Sequence, residues 1–179
     1  MLILVDSSLT AGVAPEVLQT LRSALDVIDR HHPTCWRAFR RYVRFVRLMA
    51  VGFDGAWGPL ERCIVLNPSF VQRASPLTVA YMLVHEVAHA RIWWAGIPYS
   101  RERAGRIEAG ATRRMVRFAA RMGASDEELR RLGATAYDPS DAFIIQKGKE
   151  AVLAGEEPTW LDHVMSRWHL WMVRHSRKR

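Results

Sequence analysis

The sequence LTVAYMLVHEVAHARIWW (Leu77–Trp94) is an apolar run near the middle of the chain and carries two histidines four residues apart, His85 and His89. On a helix these side chains project from one face at adjacent turns, close enough for both imidazoles to bind one metal ion. Glu86 lies about 100° around the helix from His85, where its carboxylate can reach a water at the metal without binding the metal itself. The pattern therefore predicts a zinc site with Glu86 as its general base.

The residues around this run also favour a helix. Ser75 is a suitable N-cap, Pro76 suits the first helical position, and Gly96 begins a terminating Gly-Ile-Pro sequence. A rotation of about 100° per residue divides the helix into two sides. One side is predicted to carry Ala80, Leu83, Val87 and Trp94, and the opposite side Thr78, Tyr81, His85 and His89. Hydrogen-bonded core histidines are the alternative, but an exposed side usually carries Lys, Glu or Arg, so the histidines favour a metal site.

A catalytic zinc site needs one more protein ligand and an open position for water. A predicted helix over roughly Ser100 to Met122 offers two carboxylates, Glu102 and Glu108. Glu102 projects towards an arginine-rich side, whereas Glu108 falls within the apolar face beside Met115. A lone carboxylate in a buried face is costly unless a metal or a positive charge meets it. We expect Glu108 to be the third ligand, and an ion pair with an arginine is the alternative.

The length and composition are typical of one globular domain. The chain has 179 residues, of which 49% are apolar, so we expect a single domain over residues 1–179 with a short basic tail at 174–179. The apolar runs at residues 1–5 and 168–173 are too short to span a bilayer, and no export signal is evident. Cys35 and Cys63 lack the spacing of a disulfide framework or a cysteine zinc site. These features favour a soluble, cytoplasmic protein without membrane insertion.

The charge is strongly basic. The 26 Lys and Arg residues against 18 Asp and Glu residues give a formal charge of +8. Such a charge permits binding to nucleic acid, anionic lipid or an acidic protein, but without a recognisable binding motif it more often reflects a solvated surface. The charge therefore adds a second class of partner without selecting it.

The remaining patterns predict short strands and further helices. A buried strand is expected at Leu2–Val5, and a helix from Pro15 to the His31-His32-Pro33 sequence, where the histidines are expected to be exposed caps. A short helical turn and a strand over roughly Tyr42 to Val51 are expected next, then a glycine-rich loop over residues 52–59 and a second strand at Arg62–Leu66. The two strands are expected to form a hairpin. Later helices are expected to begin at Ser125 and to cover Thr159 to Val173.

With these residues in place, the chain resembles the gluzincin branch of the zincin metallopeptidases in a compact, single-domain form. The resemblance covers roughly Arg62 to Met122 and rests on His85-Glu86-x-x-His89 followed by a downstream helix carrying Glu108. It implies an α+β fold, in which a small, mostly antiparallel sheet packs on the metal-binding helix and further helices. It also implies that the strand before that helix borders the substrate cleft and pairs with extended peptide.

The function expected from this resemblance is zinc-dependent hydrolysis of peptide bonds in a peptide or protein substrate. His85, His89 and Glu108 would bind Zn²⁺ and Glu86 would activate the water, with Tyr99, Tyr137 and His163 as candidate donors to the oxyanion. One alternative is a catalytically silent, zincin-like binding or regulatory protein that contacts nucleic acid or a protein partner through arginine-rich faces. A structural metal site in an interaction module is a further alternative.

Overall fold

The computed structural model describes residues 14–49, 53–59, 61–97 and 101–134. The chain divides into two compact units, one of Met1–Ile97 with Glu108–Ala136 and the other of Pro98–Ile107 with Tyr137–Arg179. Within the second unit, only the first turns of one helix are described. The predicted strand at Leu2–Val5, the predicted helix at Thr159–Val173 and the basic tail lie outside the described residues. A single domain over the whole chain stays a prediction.

The described part of the chain is mostly helical, with one small sheet. In chain order its elements are α1 (Pro15–His31), α2 (Pro33–Tyr42), β1 (Phe45–Leu48), β2 (Gly55–Gly58), β3 (Cys63–Leu66), α3 (Pro68–Arg73), α4 (Pro76–Trp94), α5 (Arg101–Arg121) and α6 (Asp126–Ala134). The predicted α+β composition is confirmed. The helices α1, α4, α5 and α6 and the strand β3 were all expected from the sequence. The predicted helical turn after Pro33 is a full helix, α2, and the strand after it is shorter than expected.

The sheet is mixed and not mostly antiparallel as expected. Its strand order is β1-β3-β2, and β1 runs parallel to β3 while β2 runs antiparallel to it. The predicted hairpin between β1 and β3 is therefore wrong, because the turn before β3 connects it to β2. All four residues of β3 are buried, as is typical of a strand covered on both faces and paired at both edges. β3 is thus the central strand and cannot itself border a cleft.

Strand β2 lies in the segment that the glycines predicted to be a loop. Gly55 pairs with Leu66 of β3. A Cβ atom at Gly55 would lie 3.0 Å from both Leu66 Cδ2 and Met82 Cγ, closer than side chains normally pack. Glycine at this position reflects the close approach of β2 to α4 rather than a turn.

Helix α4 lies at the centre of the unit and packs against α1, α2 and β2. Its N-terminus is capped as predicted, because the Ser75 hydroxyl accepts a hydrogen bond from the Thr78 backbone N–H at 3.1 Å and Pro76 occupies the first position. At its C-terminus Gly96 has a φ of 73°, and the backbone N–H of Ile97 donates to the carbonyl of Ile92. This glycine-terminated arrangement is a Schellman motif.

Burial extends around almost the whole circumference of α4. The predicted apolar side is buried at Ala80, Leu83 and Val87, and Tyr81 on the opposite side is buried as well, at 1% exposure. Trp94 differs from the prediction, since it is 50% exposed. It lies in the last turn, where α4 extends beyond the core. No helix in the described ranges is long and apolar enough to cross a membrane.

Candidate metal centre

The two histidines of the HEVAH sequence face each other across one turn of α4. Their ring centroids lie 4.8 Å apart, and His85 Nε2 lies 3.0 Å from His89 Nε2. Both side chains are largely buried, at 15% and 12% exposure. The predicted juxtaposition of the pair is confirmed, and both rings present the same nitrogen to the same point.

Helix α5 brings Glu108 to that point. Its Oε2 atom lies 3.4 Å from His85 Nε2 and 3.3 Å from His89 Nε2, and its side chain is 16% exposed. The carboxylate occupies the buried face of α5, together with Ala104, Ile107, Ala111, Met115 and Phe118. Glu108 therefore meets the histidine pair, as predicted.

The spacing of the three donor atoms fits a small metal ion. In tetrahedral zinc sites with ligand distances of about 2.0–2.1 Å, neighbouring donor atoms lie roughly 3.3 Å apart. The three separations here are 3.0, 3.3 and 3.4 Å. Two imidazoles and one carboxylate also form a donor set that suits Zn²⁺ and other first-row divalent ions. Among the described residues, these three form a group of His, Cys, Asp or Glu that could hold a metal.

The charges of the site are coupled in the protein without metal. Burial raises the pKa of Glu108, but hydrogen bonds with His85 and His89 and the charges of both rings outweigh burial, so this pKa lies far below its usual range. Burial lowers the pKa of His89, but the hydrogen bond with Glu108 and the negative charges of Glu86 and Glu108 together raise it. In the absence of metal the site therefore tends to retain a proton.

Glu86 is a buried carboxylate beside the three candidate ligands. It is 4% exposed, and its negative charge acts on His89. It forms no hydrogen bond with any residue in the described ranges. Its oxygens are not among the buried side-chain atoms that lack a partner, so they reach solvent, and a water molecule at the adjacent candidate metal site can meet them.

The second ring nitrogen of His85 also has no protein partner. His85 Nδ1 is buried and has no hydrogen-bond partner among the described residues. Metal-binding histidines usually donate their second N–H to a carboxylate, a carbonyl or a water. Among the described residues, His85 Nδ1 is therefore a buried polar atom whose hydrogen bond is not satisfied.

The other histidines in the described residues take no part in this site. His31 is exposed at the last position of α1. His32 stacks on Phe118 and accepts a hydrogen bond of 3.0 Å from Arg121. Burial, followed by the charges of Arg121 and Arg91, lowers the pKa of His32. His31 is thus exposed as expected from the sequence, whereas His32, the C-cap of α1, is a partly buried packing residue.

The predicted oxyanion donors remain untested. Tyr99, Tyr137 and His163 lie outside the described residues. The sequence also did not reveal that β2 lies next to the metal-binding helix, where Gly55 approaches Met82, three residues before His85. Gly55 and Gly58 are three residues apart and would face opposite sides of a strand, so their spacing gave no signal of this contact.

Comparisons with protein-family models, with curated proteins and with solved structures found no significant match to this chain.

Proposed function

We propose that this chain is a zinc-dependent peptidase of the gluzincin type. The observation that carries the proposal is the convergence of His85 Nε2, His89 Nε2 and Glu108 Oε2 within 3.0–3.4 Å of one another, with the buried Glu86 carboxylate beside them. The donor set and the adjacent unpaired carboxylate together match what metal-assisted hydrolysis requires.

The number of ligands favours a catalytic over a structural site. Structural zinc sites usually have four protein ligands, whereas catalytic sites have three and an open position. His85, His89 and Glu108 would hold the ion, and the described residues add no fourth His, Cys, Asp or Glu to this group. A bound Zn²⁺ supplies a Lewis acid that polarises a carbonyl oxygen and makes water more acidic.

The role of Glu86 follows from its position and its burial. Its carboxylate accepts a proton from the attacking water and later donates that proton to the nitrogen of the leaving amine. Because Glu86 has no protein hydrogen bond in the described ranges, its oxygens are available for this transfer.

The substrate in this proposal is an extended peptide. Since β3 is paired at both edges, the strand that can accept a peptide next to α4 is β2, whose second edge has no partner strand in the described ranges. β2 packs on α4 at Met82, one turn before His85. Backbone hydrogen bonds to an edge strand hold a peptide extended with little dependence on its sequence.

The test combines metal analysis with peptide hydrolysis. Wild-type protein, Glu86→Gln and the exposed control Glu127→Gln are loaded with zinc, measured by elemental analysis, and incubated with a mixed peptide library that is read by mass spectrometry. We expect all three to bind zinc, and the Glu86→Gln protein to lose about two to four orders of magnitude in rate. Hydrolysis retained by zinc-loaded Glu86→Gln, or absent from zinc-loaded wild type, would overturn the proposal.

A further inference from the structure

A row of arginines follows the exposed side of α5. Arg114, Arg117 and Arg121 are spaced three and four residues apart and are exposed, so they lie on one side of the helix. Arg91 of α4 lies close to this row. Burial and the positive charges of Arg91, Arg113 and Arg117 lower the pKa of Arg114. We call Arg91, Arg114, Arg117 and Arg121 the arginine row.

The arginine row is not neutralised by acidic side chains. None of its four members forms an ion pair with a carboxylate from the described ranges. Surface arginines are usually interspersed with acidic residues, and clustering like charges without them raises the free energy of the folded protein. An anionic partner would remove this repulsion.

A cluster of aromatic rings and arginines lies at the end of α4. Tyr42 stacks on Trp94 with ring centroids 6.0 Å apart, the Arg62 guanidinium lies 5.2 Å from the centre of the Trp94 ring, and that of Arg41 lies 5.4 Å from the Tyr42 ring. These four side chains line a crevice of about 150 Å³. We call them the stacking cluster. Trp94 remains 50% exposed, an unusual state for so large an apolar side chain.

The backbone holds the stacking cluster in place. Arg62 has a φ of 56°, which is uncommon for a residue other than glycine, asparagine or aspartate. Its side chain donates hydrogen bonds to the backbone carbonyls of Arg41 and Tyr42, at 2.6 and 3.2 Å. The guanidinium is thus positioned by hydrogen bonds to the backbone and not by a carboxylate.

The arginine row and the stacking cluster meet on α4. Arg91 and Trp94 are three residues apart and lie on the same side of this helix. Arg91 also acts electrostatically on Cys35 of α2, the helix that ends at Tyr42 in the stacking cluster. Arg91 and Trp94 thus bring the arginine row next to the stacking cluster at the end of α4.

We propose that this surface binds single-stranded nucleic acid, with the arginine row contacting phosphates and Trp94 stacking on a base. Unpaired arginines supply affinity for a phosphate backbone of any sequence. An exposed aromatic ring beside arginines is the other element of single-strand binding, since unpaired bases stack on aromatic side chains whereas paired bases cannot. The proposal is independent of peptidase activity, because no residue of this surface belongs to the candidate metal centre.

Two other anionic partners fit these observations less well. An acidic peptide would use the arginines but gives no reason for the half-exposed Trp94. A membrane surface with anionic lipids would require a broader apolar face, and among the described residues the large exposed apolar side chains are Trp94 and Ile97. Both partners enter the test as competing outcomes.

The experiment is a binding titration followed by fluorescence anisotropy. Full-length protein is titrated into labelled single-stranded DNA, single-stranded RNA and a duplex. Each probe is about 20 nucleotides long, because common single-strand binding folds cover roughly 4–16 nucleotides. A labelled poly-glutamate peptide and vesicles of phosphatidylcholine with phosphatidylglycerol are tested in the same buffer. The variants are Trp94→Ala, Trp94→Phe, the double variant Arg114→Gln/Arg117→Gln, and the control Arg22→Gln. Arg22 is exposed on α1. It lies ten residues before His32, which is about 15 Å along the helix axis, and so serves as an arginine away from the proposed surface.

We expect wild type to prefer a single strand over the duplex. Trp94→Ala should weaken single-strand binding by about fivefold to a hundredfold, and Trp94→Phe should restore most of it. The double arginine variant should reduce the slope of log affinity against log salt by about 1.4, which is two phosphate contacts at roughly 0.7 each. Arg22→Gln should match wild type, and all variants should bind zinc as wild type does, which reports on folding.

Three results would overturn the proposal. The first is equal binding of duplex and single strand together with no effect of Trp94→Ala. The second is a stronger interaction with the vesicles or with poly-glutamate than with either nucleic acid. The third is a salt dependence that the arginine substitutions leave unchanged.

Discussion

His85 Nε2 and His89 Nε2 lie 3.0 Å apart in the structure, and Glu108 Oε2 lies within 3.4 Å of both. Both nitrogens also lie within hydrogen-bond distance of the same carboxylate oxygen, so in the metal-free protein two imidazole N–H groups compete for one acceptor, Glu108 Oε2. A divalent cation satisfies all three atoms at once, because each then acts as a donor of a lone pair. The relationship between these two histidines is the basis of the first three predictions.

Removing any one of the three ligands should abolish tight zinc binding. We expect one zinc ion per wild-type chain. The variants His85→Ala, His89→Ala and Glu108→Ala should each weaken zinc binding by on the order of a hundredfold or more. In free energy this loss is a modest share of the roughly 10–16 kcal/mol of binding free energy typical of protein zinc sites. Elemental analysis and competition with a chromophoric chelator measure this. His31→Ala is the matched control, since His31 is an exposed helical histidine away from the site, and it should bind zinc normally. Unchanged affinity in Glu108→Ala would remove Glu108 from the ligand set.

Stability and zinc affinity should depend on pH in opposite ways. The pKa of Glu108 lies below its ordinary 4.5, so its contribution to stability is present above pH 4.5 and is lost as the pH falls towards the lowered value. The pKa of His89 lies above its ordinary 6.5, so its contribution is complete below pH 6.5 and is lost as the pH rises through the raised value. The pair thus stabilises the metal-free protein most between pH 4.5 and 6.5.

Zinc binding requires the imidazoles to lose their protons, so the affinity of the protein for zinc should increase as the pH rises. Over the same pH range the stability of the metal-free protein should decrease. For one displaced proton we expect up to about a tenfold gain per pH unit over the pH range below the raised pKa of His89. Chelator competition at several pH values, beside urea unfolding of the metal-free protein, measures both trends. Zinc affinity that is constant over this range would show that no imidazole proton is displaced.

Zinc should stabilise the folded protein reversibly. At a free concentration about 1,000 times the dissociation constant, a ligand that binds only the folded state adds roughly 4 kcal/mol to the free energy of unfolding. For a protein of this size that corresponds to an increase of about 8–16 °C in Tm. Calorimetry with zinc, and again after excess chelator, measures the effect. The His85→Ala protein should show no increase, and an equal increase in that variant would place the stabilising zinc at another site.

The contact of β2 with α4 should tolerate no side chain at Gly55. A valine there would bring its Cβ to 3.0 Å from Leu66 Cδ2 and Met82 Cγ, and such overpacking costs about 1–3 kcal/mol. Urea unfolding measures the loss. The control is Gly105→Ala in α5, where a Cβ would meet nothing within 4 Å, and it should stabilise the helix by about 0.5–1 kcal/mol. A fully stable Gly55→Val protein would mean that β2 does not pack closely on α4.

Much of the candidate site was predictable because it depends on local rules. Helical periodicity placed His85 and His89 on one side of a helix, and Ser75 and Gly96 marked its two ends. The assignment of Glu108 needed one further argument, the cost of an unpaired carboxylate on an apolar face. That argument selected Glu108 over Glu102 without any knowledge of how the helices pack.

The sheet was less predictable because strand pairing joins residues that are distant in sequence. Gly55 and Gly58 have low strand propensity, and only their packing on Leu66 and Met82 explains why they form β2. With β2 in place, β3 became the central strand and β1 its parallel partner. The exposure of Trp94 was also unpredictable, because periodicity assigns a side to a residue but does not say where the core ends.

The sequence by itself determined the helices α1, α4, α5 and α6, the histidine pair and the residue types able to bind a metal, since these follow from periodicity, capping and the chemistry of single side chains. Only the tertiary structure decided that Glu108 Oε2 meets both imidazoles, that β2 and not β3 is an edge of the described sheet beside the metal-binding helix, and that Trp94 is exposed and lies against Tyr42 and Arg62. The physical reason is that each of these relationships depends on how separate elements pack, and packing is settled by the burial of the whole core rather than by any one segment.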